Sequence, residues 1–330
     1  MRRVSFAVSL GCTLAAATAG SQNTGSLPQH FEIDPPHSML GFSVGFMGLS
    51  QVRGAFATFG GTIMYAPDAP QRSSASLIIL AKSINTNGLT RDNHLRSPDF
   101  FDVAKFPYIT FRSNAIRPSA TGYVVDGEFS MHGVTKTLSI PLTLLNAPKS
   151  DAWGNQRMTL QGKLRLSRKE YGIKGTAFWN SEFDPGRMAV SDDVDVELLI
   201  SATIPNVDKW TDAVGDSLLA EMQRQGVKST LAQLRTARAT NSKIDSIAPF
   251  SYVVAAEKLA KAGRVSDGIE VYGAALEILP EAGLLIARRA ALLAKLGDYR
   301  AATEQFERVR RMDSTSTIAV EWLRVLQRKP

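Results

Sequence analysis

The sequence predicts an antiparallel β-barrel of about eight strands followed by an all-α stack of helical hairpins. Between residues 31 and 204 the apolar residues recur at every second position, which is the period of strands with one buried face. After Pro205 the spacing becomes helical, and a segment of this second half repeats after 34 residues. For a chain of 330 residues we therefore expect two domains, 31–204 and 205–330.

The first residues have the pattern of a secretory signal peptide. Two arginines precede an apolar run, and Ala17-Thr18-Ala19 is the small-residue pattern that a signal peptidase reads. We predict a signal peptide over 1–19, a linker over 20–30 and export to the periplasm. Twin-arginine export and a lipoprotein anchor at Cys12 are the alternatives.

Composition excludes several classes of function. Cys12 is the one cysteine of the chain and lies in the predicted signal peptide, which excludes disulfides, thiol chemistry and cysteine zinc sites from the mature protein. The net charge of +7 is shared by both halves, so neither half is a basic tail and we expect no nucleic-acid partner. Contact with a membrane surface through anionic lipid headgroups suits an exported protein better.

Strand-like alternation is clearest at the two ends of the first half. Leu40, Phe42 and Val44 alternate with glycine and serine, and the apolar residues of 194–200 alternate with acidic ones. Glycines and aromatic residues mix in the early strands, as a strongly bent sheet requires. About eight such strands close into a lipocalin-like barrel that can hold one small ligand. The remaining strands are predicted near 52–65, 75–82, 107–117, 122–130, 134–145 and 157–166.

The helical half contains an internal repeat. The segment AKAGRVSDGIEVYGAALEILP aligns with AKLGDYRAATEQFERVRRMDS at the 34-residue period of tetratricopeptide repeats, pairing Gly263 with Gly297 and Tyr272 with Phe306. Small residues let paired helices approach, and aromatic residues fill the gap between them. We expect tetratricopeptide-like hairpins that offer a groove to a protein partner. The helices are predicted near 209–224, 227–238, 249–262, 265–279, 284–296, 299–312 and 316–327.

The sequence predicts neither a catalytic nor a metal site. Asp34 and His37 stand just ahead of the first long strand and could act in catalysis, but no serine has a G-x-S-x-G context. We therefore favour a role for both in fixing the opening turn. The four histidines lack the local spacing of a metal site. The acidic residues of 192–195 alternate with valine and are expected on the solvent face of a strand.

Residues 89–101, LTRDNHLRSPDFF, form a charged insert between two strand-like runs. We predict that Thr90 caps a short helix in which Asp92 and Arg96 pair at i,i+4, and that Ser97-Pro98-Asp99 begins a second helical turn. The apolar side of the insert is expected to consist of Leu95, Phe100 and Phe101. The insert is thus predicted to cover the mouth of the barrel.

These segments resemble the YceI-like family of bacterial exported proteins. The strings FEIDPPHSMLGFSV, SINTNGLTRDNHLRSPDFFDVAKFPYITF, HGVTK and SRKEYGIKG occur in the order of that family, and the resemblance covers residues 31–204. It implies a barrel with a long apolar tunnel that binds a polyisoprenoid, such as an isoprenoid quinone or a prenyl phosphate. The inward residues that would line the tunnel are Leu40, Phe42, Val44, Phe46, Phe56, Leu77, Ile79, Val194, Val196, Leu198 and Ile200. The candidates for contact with a head group at the mouth are Asp34, His37, Arg91, His94, Arg96, Phe100 and Phe101.

The sequence therefore favours non-enzymatic binding or carriage of an isoprenoid lipid, with no obligatory cofactor and with 205–330 as a protein-interaction region. One alternative is a partner-binding scaffold whose barrel is purely structural. Another is an enzyme that acts on a lipid headgroup through Asp34, His37, Arg91 or His94. A cationic mouth would suit a pyrophosphate, whereas a histidine donor would suit a quinone carbonyl equally well.

Overall fold

The computed structural model describes residues 27–240 and 247–327. Residues 29–204 form a β-barrel, and helices follow from residue 213 onward. This architecture confirms the predicted fold class. The predicted signal peptide, Cys12 and most of the predicted linker lie outside the described residues.

In the described residues the barrel region contains thirteen strands and one α-helix, α1 (Leu89–Arg96). Eleven of the strands form one antiparallel sheet, and β11 and β12 form a separate small hairpin. The strands are β1 (Gln29–Ile33), β2 (Met39–Phe46), β3 (Ser50–Phe56), β4 (Phe59–Tyr65), β5 (Ser74–Leu80), β6 (Ile84–Asn85), β7 (Tyr108–Ser119), β8 (Gly122–Met131), β9 (Val134–Ser150), β10 (Gln156–Ser167), β11 (Glu182–Asp184), β12 (Arg187–Met188) and β13 (Val190–Ile204).

The short strand β1 closes the barrel. Glu32 of β1 lies opposite both Thr62 of β4 and Thr203 of β13, so the order β1-β4-β5-β7-β8-β9-β10-β13 returns to β1 as a ring of eight strands. The other half of β13 pairs with β2, which continues into β3 and β6. The barrel wall is therefore completed by β1 near one end and by β2, β3 and β6 near the other.

Two strand boundaries differ from the prediction. The run near 52–65 is two strands, because Ala57 and Thr58 leave the ladder and bond to the segment that follows β5. β1 begins at Gln29, inside the segment predicted as a linker, and its Phe31 side chain is fully buried. The expected need for glycine in the early strands is visible at Gly54, where a Cβ atom would lie 2.5 Å from the ring of Phe42.

The second half is entirely helical in the part that the structure describes. Asp212 caps α2 by accepting from Gly215 N–H at 2.7 Å, and Asp298 caps α7 by accepting from Ala301 N–H at 3.0 Å. Most predicted helix bounds are matched within a few residues. The helices are α2 (Ala213–Gln225), α3 (Val227–Thr240), α4 (Pro249–Lys261), α5 (Val265–Ile278), α6 (Gly283–Leu296), α7 (Tyr299–Met312) and α8 (Thr317–Gln327).

The repeated aromatic positions are core positions of two successive hairpins, α4–α5 and α6–α7, whereas the repeated glycines, Gly263 and Gly297, are exposed and have positive φ. Tyr272 and Phe306, which are 34 residues apart in sequence, are both fully buried. At Gly268 a Cβ atom would lie 2.8 Å from the carbonyl oxygen of Ala256, so this glycine allows α5 to approach α4 closely. The repeat thus has the packing role predicted for it, and its assignment to the tetratricopeptide class stays a prediction.

The helical half packs against the outside of the barrel. Helix α8 contacts β4 and β5, and the outward side chain of Met64 belongs to the core of the helices rather than to that of the barrel. Three polar contacts fix α8: the hydroxyls of Thr62 and Thr317 are 3.1 Å apart, Ser76 donates to the buried Glu321, and Arg324 donates to the Ser113 carbonyl at 2.6 Å.

The surface formed by α4, α6 and α8 surrounds strand β1. Arg288 of α6 lies 3.9 Å from Glu32 and 3.3 Å from Glu257 of α4, and the ring of Trp322 of α8 meets His30 edge-on at 6.2 Å. Burial, reinforced by the positive charge of Arg288, lowers the pKa of His30 to about 4. The ring of His30 is therefore neutral at neutral pH, and the helices hold the barrel's own strand on this surface.

Candidate ligand-binding site

The interior of the barrel is an apolar cavity of about 260 Å³. Ten of the eleven predicted tunnel residues line it, from Leu40 on β2 to Ile200 on β13. Phe46 is the exception, since it lies in the final position of β2, beside the register shift between Val190 and Val194 of β13. The alternation of the sequence therefore located the inner face but not its end.

Strands β7 to β10 contribute much of the lining that the sequence analysis did not name. The same alternation could have found these residues, because every second position of the predicted strands points inward. On β10 the lining runs from Met158 to Leu166, a distance along the strand of about 26 Å at roughly 3.3 Å per residue. The additional residues on these strands are Ile109, Phe111, Ile116, Tyr123, Val125, Phe129, Met131, Leu138, Ile140, Leu142, Met158, Leu160, Leu164 and Leu166.

Few polar side chains reach the cavity, and Arg168 is the charged one among its lining residues. Its Nε donates to the Ser191 carbonyl at 2.9 Å, and one terminal nitrogen donates to the carbonyls of Ile173 and Lys174 at 2.9 and 2.7 Å. The other terminal nitrogen donates to the Val190 carbonyl at 3.1 Å. All three nitrogens are engaged within the protein, and burial lowers the pKa of the guanidinium.

Sequence reasoning missed Arg168 as part of the site. The residue stands in the string SRKEYGIKG, which supported the family resemblance but carries no sign that the side chain turns inward. In the structure it follows β10 directly, and it joins the loop after residue 172 to the first residues of β13. Arg168 thus fixes one end of the barrel.

The predicted cover lies across this same end. Helix α1 and the turns after it place Leu95, Phe100 and Phe101 in the cavity lining, as the apolar side of the insert predicted. Phe101 meets Phe56 edge-on, with ring centroids 5.9 Å apart. The cover is therefore part of the cavity wall.

Three details of the cover were predicted wrongly. Gly88, not Thr90, is the N-cap residue of α1, and no side chain caps the helix. Asp92 does not pair with Arg96 but accepts from the backbone N–H and the hydroxyl of Thr86, at 2.9 and 2.6 Å. Ser97 ends α1 and is followed by turns rather than a second helix. The short side chain of Asp92 accepts from a backbone donor outside the helix, which explains the second difference.

The charged candidates of the cover bond to the protein and do not line the cavity. Arg91 donates to the hydroxyl and carbonyl oxygens of Thr86, both at 2.7 Å. Arg96 donates to the carbonyls of Lys82 and Ile84, at 2.8 and 2.6 Å. These arginines tie the cover to the segment that precedes it.

His94 is likewise engaged on the cover, where its Nε2 lies 2.8 Å from a carboxylate oxygen of Asp99. Its ring also meets Phe100 edge-on, with centroids 5.0 Å apart. This places the predicted histidine of the insert against a lining aromatic residue rather than in the cavity itself. Of the predicted mouth candidates, Phe100 and Phe101 line the cavity.

Asp34 and His37 lie at the other end of the barrel. Asp34 accepts from Arg157 at 2.6 Å and lies 2.8 Å from Nδ1 of His37, and Arg157 also donates to the hydroxyl of Ser201. Arg157 is near the start of β10, whereas the cover meets the end of that strand. The four residues proposed for headgroup chemistry, Asp34, His37, Arg91 and His94, are therefore not brought together, and Asp34 and His37 fix the opening turn.

Within residues 27–240 and 247–327, no cluster of three or more histidine, cysteine or acidic residues is arranged to hold a metal ion. In the same ranges, none of the helices combines the length and the apolar character needed to cross a bilayer.

A closed antiparallel barrel with an apolar interior places this protein among the lipocalin-like barrel proteins. The chain belongs to the YceI-like family: residues 31–202, just over half of its length, match the family described as YceI-like domain. The helical half lies outside this match.

Curated relatives cover the same part of the chain. A UPF0312 protein of Yersinia enterocolitica is 32% identical over 168 residues, which are 50% of this chain and 85% of the relative. A UPF0312 protein of Photorhabdus laumondii is 30% identical over 167 residues, 49% of this chain and 86% of the relative. Protein YceI of Escherichia coli is 27% identical over 165 residues, with coverage of 50% and 86%.

Solved structures of similar chains align with the same half. BcnA of Burkholderia cenocepacia has a TM-score of 0.45 and 22% identity, covering 52% of this chain and 99% of its own. A domain from Saccharophagus degradans, described as polyisoprenoid binding and implicated in plant cell wall breakdown, has a TM-score of 0.41 and 18% identity, covering 53% and 98%.

Proposed function

We propose that the barrel binds the apolar chain of an isoprenoid lipid and carries it without chemical change. The observation that supports this most directly is the cavity itself, which runs about 26 Å along β10 at roughly 3.3 Å per residue and is lined almost wholly by apolar side chains. A long and narrow apolar space matches a long and narrow apolar ligand.

Burial of such a chain is favourable without any polar partner. Each methylene group removed from water contributes about 0.8 kcal/mol, so a chain of several prenyl units gains many times that amount. The methyl branches of a prenyl chain would pack against the phenylalanine and leucine side chains of the wall. An enzyme would instead need a reactive group in the cavity, and the His37–Asp34 and His94–Asp99 pairs are not among its lining residues.

The contacts at the cavity favour an uncharged head group, such as that of a quinone, if the head is enclosed. All three nitrogens of Arg168 donate to protein acceptors, so an enclosed phosphate would meet no unengaged cation among the described lining residues. A prenyl phosphate would therefore keep its head outside the barrel.

The helical half is proposed to support the barrel wall. The surface of α4, α6 and α8 holds β1, which favours a fixed structural role for this surface over an open groove. A protein partner that binds another face of residues 205–330 remains a prediction. Export through the signal peptide at 1–19, and a periplasmic location for the carrier, are part of the same proposal.

A cavity-filling variant with a matched surface control tests the proposed function. Val196 of β13 lines the cavity, whereas the next residue, Glu197, is 54% exposed on the outer face. We expect Val196→Trp to abolish uptake of an added isoprenoid quinone and Glu197→Trp to leave it unchanged. Uptake is measured by mass spectrometry of lipid extracted from the repurified protein.

The unmodified protein supplies the decisive comparison in the same experiment. Organic extraction of protein purified from its host should release an isoprenoid lipid. If no such lipid is found and added quinone is not taken up, the proposed function is wrong. Circular dichroism of both variants shows whether the tryptophan at position 196 has left the barrel folded.

A further inference from the structure

A pair of tyrosines closes the end of the tunnel that lies away from the cover. Tyr65 is the last residue of β4 and Tyr123 is near the start of β8. Their hydroxyl oxygens are 3.1 Å apart, and their rings meet edge-on with centroids 6.3 Å apart. Both residues line the cavity, and Tyr65 is 7% exposed. One hydrogen bond between two neutral groups therefore joins the two side chains at this end.

A second pocket, of about 360 Å³, lies on the outer side of this pair. It has no charged side chain in its lining, and it is open to solvent. Tyr123 belongs to the lining of this pocket and to that of the tunnel, so the ring of one residue separates the two spaces. The pocket is lined by Pro67, Pro70, Pro118, Ala120, Thr121, Gly122, Tyr123 and Leu144.

The length of the isoprenoid chain determines whether the ligand extends beyond the tunnel. An extended prenyl unit advances about 5 Å, since it adds four chain bonds of roughly 1.5 Å each that run in a zigzag. Barrel strands tilt by about 35–45° from the barrel axis, so about 26 Å along β10 corresponds to a tunnel of roughly 20 Å. About four extended units therefore fill it. A longer chain must either fold back inside the tunnel or leave through the far end.

We propose that Tyr65 and Tyr123 form a gate, and that the outer pocket takes the distal end of isoprenoid chains longer than the tunnel. This inference rests on the proposed function, because it concerns the same ligand. Rotation of the Tyr123 ring breaks the hydroxyl contact and joins the two spaces. The prolines and Leu144 of the outer pocket then supply apolar contact to the emerging chain end, and the rest of that end faces solvent because the pocket is open and partly polar.

A tryptophan that fills the outer pocket tests the gate. Ala120 is exposed in the turn between β7 and β8 and lines the pocket, while the neighbouring Ser119 is exposed and does not line it. We expect Ala120→Trp to weaken binding of a decaprenyl quinone about tenfold, which corresponds to about two lost methylene burials. Binding of a diprenyl quinone should be unchanged, and Ser119→Trp should affect neither ligand.

A second variant, Tyr65→Phe, tests the hydroxyl contact while keeping the ring. We expect the decaprenyl quinone to associate about fivefold faster, the equivalent of one neutral hydrogen bond, with no change for the diprenyl quinone. Stopped-flow quenching of tryptophan fluorescence measures both rates.

The outcomes separate the gate from the carrier function. If Ala120→Trp weakens binding of the decaprenyl quinone and leaves binding of the diprenyl quinone unchanged, the gate is supported. If the wild-type protein binds both quinones and Ala120→Trp changes its affinity for both by the same factor, the gate is wrong and the carrier function stands. If the wild-type protein binds neither quinone, both proposals fail together.

Discussion

The two ends of the barrel are closed by different kinds of contact. At the covered end Arg91, Arg96 and Arg168 donate to backbone carbonyls within the protein. At the opposite end the tunnel is closed by the hydroxyl pair of Tyr65 and Tyr123. The cluster of charge that suggests a reactive mouth in the sequence is thus the fixed end, and the end that is free to open carries no charge in its closing pair.

The two kinds of hydrogen bond differ in how much they stabilise the folded state. A hydrogen bond to a charged group contributes about 1.5–3 kcal/mol, whereas one between neutral groups contributes about 1 kcal/mol. Several bonds of the first kind hold the cover. The Tyr65–Tyr123 contact is of the second kind, although the charged Asp34–Arg157 pair also lies toward that end. Substitutions at the two ends should therefore differ in effect, from the largest at Arg168 to the smallest at Tyr65.

Removal of the Arg168 charge should have the largest effect. We expect Arg168→Met to lower the free energy of unfolding by about 3 kcal/mol, because several buried carbonyls lose their donor at once. Lys163→Met is the control, because Lys163 lies on β10, the strand that Arg168 follows, and its side chain is 70% exposed. This control should change the free energy of unfolding by less than about 0.5 kcal/mol. Urea denaturation followed by circular dichroism compares them. Equal losses of unfolding free energy in the two variants would contradict the interpretation of the covered end as the fixed one.

Loss of Asp92 should have an intermediate effect that is confined to the cover. Its carboxylate is 5% exposed and accepts two bonds from Thr86, so Asp92→Ala should cost about 2 kcal/mol. Asp99→Ala is the control, because that side chain is 48% exposed. Amide hydrogen exchange should quicken in residues 86–101 of the first variant alone. Unchanged protection there would contradict a cover anchored by Asp92.

Substitution of Tyr65 should have the smallest effect on the free energy of unfolding at neutral pH, and the contribution of this residue should depend on pH in the alkaline range. Burial, together with the bond to Tyr123, raises the pKa of Tyr65. The folded state thus keeps a proton that the unfolded chain loses above about pH 10, so this stabilisation is present at neutral pH and declines as the pH rises further. Tyr65→Phe should lower the free energy of unfolding by about 1 kcal/mol at neutral pH. As the pH rises into the alkaline range, the stability of this variant should decline less than that of the wild-type protein. A parallel decline in the two proteins, followed by urea denaturation, would argue against a buried neutral Tyr65.

The sequence was a good guide to the inner face of the barrel, because alternation is a local property of each strand. Leu40, Phe42, Val194 and Val196 line the cavity for that reason. Alternation does not show where a cavity ends, and Phe46 was misplaced because the register of β13 shifts beside it. The apolar face of the cover was predictable on the same local grounds.

The polar parts of the site were harder to predict, because they depend on contacts between distant segments. The hydroxyls of Tyr65 and Tyr123 belong to residues 58 positions apart, and no motif links them. Arg91 and Arg96 look like ligands for an anion until their carbonyl acceptors are known. Asp34 was interpreted as a structural residue, and its partner Arg157, which no local motif indicates, lies far along the chain.

The position of β1 has a consequence for the order of assembly. Glu32 pairs with Thr203, so the ring cannot close until almost the whole barrel sequence has been made available. Contacts of such long sequence separation slow folding and leave strand edges unpaired for longer. The helices that then enclose His30 and Glu32 come last in the chain. During vectorial delivery of the polypeptide β1 can pair early with β4, but its other edge stays unpaired until β13 arrives. We expect this edge to be the segment on which a holding chaperone acts.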